Sequence, residues 1–103
     1  MPAVESYRII ANHVDLDGIP VDVSYADVFV VIRDDEARPA RTDWEAQFHT
    51  DEHLPVAMAR HDLAFGIPDG TFLRGAAIVR FTDGYRHLFR GDDDLDGFSR
   101  WQG

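Results

Sequence analysis

Three groupings of side chains in this sequence could carry chemistry. The first is Asp92-Asp93-Asp94-Leu95-Asp96-Gly97, which sets Asp92, Asp94 and Asp96 at alternate positions of a short loop closed by glycine. Alternate carboxylates can turn their oxygens inward on a calcium ion, and glycine permits the bend. The bidentate glutamate that completes such a loop is missing, because its place falls on Gly103. A solvated acidic turn is the stronger reading.

The second grouping is His49, Asp51 and His53. In an extended segment these three share one face, and two imidazoles with a carboxylate can hold a divalent metal with open positions. His61 or His87 would join them only if the fold brought them close. Surface and hydrogen-bonded histidines are commoner than ligands, so no cofactor is expected and a divalent metal is the alternative.

The third is aromatic. Tyr25, Trp44, Phe48 and Tyr85, with Tyr7 and Phe89, could line a cavity in which His87, His49 or His53 does acid–base work on a small apolar molecule. Small barrels are usually filled by their own side chains, so the same residues read more simply as core.

Other chemistry is excluded. There is no cysteine, hence no thiolate nucleophile or cysteine-held metal, and no lysine, hence no Schiff base. Ser6, Ser24 and Ser99 are the only serines, and none sits in a glycine-framed nucleophile elbow. No phosphate loop or dinucleotide fingerprint occurs. The balance leans away from an enzyme.

The elements that must position these residues are strands. Four Asp-Gly pairs, at 17–18, 69–70, 83–84 and 96–97, separate apolar runs, and Asp-Gly favours tight hairpin turns. Ile19, Val21, Val23 and Tyr25 alternate with Pro20, Asp22 and Ser24, which predicts a half-buried strand with proline at an edge. The turn at 15–18 is expected to join it to the preceding Tyr7–Ala11 run as a hairpin. Val28-Phe29-Val30-Val31-Ile32 is apolar throughout and predicts a central strand, or one whose second face meets another subunit. Residues 33–39 read as a charged loop.

Trp44, Ala46 and Phe48 alternate with polar residues and predict a strand. The competing reading for 42–64 is a helical turn, since Thr42-Asp43-Trp44-Glu45 matches a capping box. With Asp83-Gly84 as a two-residue turn, Thr82 would face Tyr85, Val79 would face Leu88 and Ile78 would face Phe89. The segment Asp15-Leu16-Asp17-Gly18-Ile19 recurs as Asp94-Leu95-Asp96-Gly97-Phe98, which reads as repeated turn chemistry. Phe98 and Trp101 are expected to fold back over one end.

These signals predict a single all-β domain over residues 1–103, a small antiparallel β-barrel or tight sandwich of about six to eight strands. The formal charge is -9, from 19 acidic residues against 10 arginines, a field that repels nucleic acid and anionic lipid. No apolar run is long enough for a membrane span and no signal peptide is visible, so the expected setting is cytoplasmic. The leading functional expectation is a non-catalytic acidic interaction or accessory module that binds another protein and self-associates. The alternatives are a small-molecule-binding or catalytic barrel and an inhibitor that imitates DNA.

Overall fold

The computed structural model describes residues 3–35 and 38–98. Eight strands follow one another, β1 (Ala3–Ala11), β2 (His13–Leu16), β3 (Ile19–Val21), β4 (Tyr25–Asp35), β5 (Arg38–His49), β6 (Arg60–Gly66), β7 (Phe72–Thr82) and β8 (Arg86–Gly91). All pairings are antiparallel, in one sheet of order β1-β4-β5-β8-β7-β6-β2-β3. No helix occurs among the described residues, and none is long and apolar enough to cross a membrane. The helical reading of 42–64 is thereby corrected: 42–49 lies in β5 and 50–59 is irregular.

The curl of the sheet follows from one residue. β1 and β2 are separated only by Asn12, yet β1 pairs with β4 at one end of the sheet and β2 with β6 near the other. Ala11 faces Ala26, His13 faces Gly66, and the Asn12 amide donates to the Gly66 carbonyl at 2.9 Å. The two ends of the sheet must therefore approach at this corner, which bends it into a half-barrel. The expected hairpin from Tyr7–Ala11 to Ile19–Tyr25 does not form. Instead β2 turns back into β3 through Asp17-Gly18, both at positive φ (52° and 81°), where aspartate and glycine cost least. β3 is the edge that Pro20 implied, but it is short, and Ile19 is exposed rather than half-buried.

The inner face of the curl holds one core. Val28, Val30 and Ile32 of β4, Ala46 and Phe48 of β5, Leu63 and Phe65 of β6, Val79 of β7 and Phe89 of β8 are all buried in it. Phe48 stacks on Phe89 at 5.5 Å between ring centres, and Trp44 meets Phe65 edge-on at 6.2 Å. Beyond β8 the chain drops Leu95 into the core and sets Phe98 edge-on against Tyr7 of β1. Trp101 and Ser99 lie outside the described residues.

Two further readings are corrected. Residues 33–35 and 38–39 continue β4 and β5 as a long hairpin rather than a loop. In the β7–β8 hairpin Thr82 faces His87, Phe81 faces Leu88 and Val79 faces Phe89, with an irregularity at Arg80. The turn is longer than two residues because the Asp83 carboxylate accepts from the amides of both Tyr85 and Arg86, at 2.9 and 2.7 Å. The bulge at Arg80 then returns Val79 to the core side.

Candidate functional site

The histidines are distributed, and most are occupied. At the β4–β5 end, His49 Nδ1 lies 2.7 Å from the Ser24 hydroxyl and 3.9 Å from an Asp51 carboxylate oxygen. Both neighbours address the same ring nitrogen, so His49 cannot relay a proton from Ser24 to Asp51 as a hydrolase triad requires. His53 stands edge-on to Tyr85 at 5.4 Å. Among the described residues no group of three or more histidine, aspartate or glutamate side chains converges as metal ligands do.

The aromatic set divides. Trp44, Phe48 and His87 are buried in the core, whereas Tyr25 and Tyr85 stand on the outside, Tyr25 stacked on His49 at 5.7 Å. His87 is fully buried between two threonines, with Thr50 Oγ1 3.2 Å from Nε2 and Thr82 Oγ1 2.8 Å from Nδ1. Burial holds it below the ordinary histidine range, against the opposing charge of Asp83. It is a neutral core histidine.

A pairing that sequence reading missed is His61 with Asp17. His61 Nδ1 donates to Asp17 Oδ2 at 2.6 Å and Nε2 donates to the Ala57 carbonyl at 2.8 Å, while Asp17 Oδ1 accepts from the Asp62 amide at 2.9 Å. Two acceptors on two ring nitrogens call for the imidazolium. Burial alone would lower the pKa of His61, but these bonds and the charges of Asp17 and Asp62 outweigh it and raise it. Asp17 is held low in return, first by its bond to His61. The pair clasps the β2–β3 turn onto β6. Asp17→Asn is expected to bring the His61 titration back toward its ordinary value of 6.5, read from its imidazole protons by NMR. An unmoved titration would count against the clasp.

Asp17 also belongs to an open groove of about 780 Å³ on the outside of β2, β6 and β7. Its floor is small, with Ala64, Gly75 and Ala76, and its rim carries Asp15, Asp17, Asp62, Asp93, Asp94 and Asp96 with Arg60 and Arg74. The two recurring segments supply four of these acids from opposite sides, while Leu16 and Leu95 between them turn toward the core. Asp92 and Asp93 do not stand open as calcium ligands would, since the Arg60 guanidinium pairs with them at 3.4 and 3.8 Å.

The outer face of β1, β4, β5, β8 and β7 differs in kind. Cross-strand register sets Arg8, Phe29, Glu45, Arg90, Ile78 and Arg60 in one row, and Ile10, Asp27, Gln47, Leu88 and Phe81 in the next. Ile10 (59%), Phe81 (47%), Ile78 (43%) and Phe29 (38%) are exposed there. The alternation Arg86, Leu88, Arg90 is the sequence signal for this face, but its neighbours depend on register. Comparison with family models, with curated proteins and with solved structures finds no match.

Proposed function

We propose that this chain is a non-catalytic interaction module that docks another protein on the outer face of its curled sheet. The observation that carries the reading is the placement of apolar side chains. The inner face is filled by Phe48, Phe65, Phe89 and their neighbours, while Ile10, Phe29, Ile78 and Phe81 occupy adjacent outer rows. Ile10 adjoins Phe29 across β1 and β4, and Leu88 adjoins Phe81 and Ile78 across β8 and β7, with Asp27, Gln47, Glu45 and Arg90 between the two groups. Single exposed apolar residues are ordinary, whereas such groups on one face mark contact surfaces. Arg8, Arg80, Arg86 and Arg90 surround them, and aromatic residues with arginine are what interface centres favour.

The two alternatives find less support. The aromatics expected to line a ligand cavity are split between core and surface. Of the acids a DNA mimic would display, Asp69 and Asp83 are engaged by backbone amides of their own turns.

The test is whether the protein gains mass through this face, either alone at rising concentration or immobilised in extract of its host. Phe29→Ser/Phe81→Ser is expected to keep the fold, checked by circular dichroism, and to lose at least tenfold in the retained mass. A variant that retains every species bound by the parent, or a parent that gains no mass in either setting, overturns the reading.

A further inference from the structure

We propose that the outer sheet face receives the acidic groove of a second copy of this chain, so that copies associate head to tail. The inference rests on the reading above and names the partner. Its ground is that the molecule, at a formal charge of -9, is electrically divided.

On the outer sides of β1, β4, β5, β8 and the β7 bulge, the described side chains include five arginines (8, 33, 80, 86 and 90) against Asp27, Asp43 and Glu45. Two of those acids are already neutralised within the face, Arg8 pairing with Asp27 at 3.3 Å and Arg33 with Asp43 at 2.8 Å. Arg80, Arg86 and Arg90 make no ion pair among the described residues, and they flank Leu88, Phe81 and Ile78. An apolar patch with excess positive charge on so acidic a chain finds a complement among the described residues in the groove, whose rim carries six aspartates with Arg60 and Arg74. Asp15, Asp17 and Asp93 are engaged by His13, His61 and Arg60, which leaves Asp62, Asp94 and Asp96 without an ion pair among the described residues. On the groove side the short side chains of Ala64 and Ala76 leave room for inserted arginine or aromatic side chains, while Gly75 turns its open side to Trp44.

The symmetry follows from where the two patches lie. The face is centred on β4, β5 and β8, and the groove on β2, β6 and β7, so the two patches do not coincide. Face against face would set Arg86 and Arg90 near their own copies, and groove against groove would set aspartates together. Only face against groove joins opposite fields. A contact between different patches is heterologous and leaves each copy with one unused patch, so it grows past two or closes a ring.

Sedimentation velocity with charge-reversed variants tests this. Arg86→Glu/Arg90→Glu spoils the face and Asp94→Arg/Asp96→Arg spoils the groove, and circular dichroism checks each fold. If either variant unfolds, Arg86→Gln/Arg90→Gln and Asp94→Asn/Asp96→Asn replace them. The parent protein is expected to form species beyond dimer as concentration rises, receding at high salt, where the Debye length shortens to about 3 Å at 1 M. Each variant alone is expected to be monomeric, and an equimolar mixture is expected to associate again, since the intact groove of one meets the intact face of the other and the two reversed patches are also of opposite sign. With the neutral Gln and Asn variants the mixture is expected to stop at a dimer. A parent that stays monomeric overturns the proposal, and if it still binds a host protein through Phe29 and Phe81, the broader reading survives. One variant assembling normally while the mixture forms no hetero-dimer also overturns it, in favour of a symmetric contact.

Discussion

Trp44→Ala is expected to lower the unfolding free energy by about 3–5 kcal/mol, the usual cost of deleting a buried large aromatic. Gly91→Ala is expected to lower it by about 1–3 kcal/mol through overpacking of the same place. Trp44 is buried, and its indole lies across Gly91 and Gly75 where the C-terminal segment leaves β8. A Cβ on Gly91 would run into the indole Nε1, Cε2 and Cδ1 atoms, and one on Gly75 would come within 2.6 Å of Cζ2. The indole N–H donates to the Asp93 carbonyl at 2.7 Å, so any shift of the ring also releases the segment that carries Leu95 into the core. Removing Trp44 opens a void between β5, β6 and β7; adding a methyl at Gly91 pushes the same ring away from its acceptor. Urea unfolding followed by circular dichroism measures both. A stable fold commands about 5–15 kcal/mol in all, so Trp44→Ala should move the midpoint far or leave the chain unfolded. A loss below about 1 kcal/mol for both variants would mean that the indole is not the pin of this end.

What the sequence revealed of this fold was local. Period-two alternation and the apolar 28–32 run located β4 and β5 because burial on one face of a strand is written in successive residues. The glycines of all four Asp-Gly pairs have positive φ, so the turn chemistry was legible as well. Partnership was not legible. That β1 joins β4 rather than its neighbour β2 depends on the bend at Asn12, which no periodicity records. The β7–β8 register depends on one aspartate side chain capping two amides, a contact that adds residues to a turn the sequence presents as two. The acidic groove has the same character: Asp15, Asp17, Asp94 and Asp96 sit in recurring segments, but Asp62 joins them only through strand pairing. The arginine and apolar rows likewise form from residues on six strands.

Stability is expected to peak near pH 6.5, because two histidines titrate in opposite directions. Thr82 Oγ1 accepts the Gly84 amide at 3.1 Å, so its hydroxyl proton is free for His87 Nδ1, and the proton on Nε2 then goes to Thr50 Oγ1, whose own hydroxyl points to the carbonyls of Gly84 and Tyr85, each at 3.4 Å. A second proton on His87 would displace the Thr82 proton and put a charge in the core. The folded pKa is therefore below the unfolded value of 6.5, and the folded state binds fewer protons. The His87 contribution is whole above pH 6.5 and is lost as pH falls from there toward its folded value. His61 has the opposite sign. Its folded pKa is raised above 6.5 by Asp17, Ala57 and Asp62 against the effect of burial, so its contribution is whole below pH 6.5 and is lost as pH rises through the folded value. Asp17, Asp69 and Asp83, held low by His61, Thr71 and the Arg86 amide respectively, keep their contributions above pH 3.8 and lose them below it. Melting temperatures from pH 3 to 9 give the curve. His87→Gln should flatten the limb just below pH 6.5 while leaving the steeper fall below pH 4, and His61→Gln should flatten the limb above pH 6.5. If His87→Gln leaves the acid limb unchanged, the loss there belongs to other groups and His87 takes up its proton without cost to the fold.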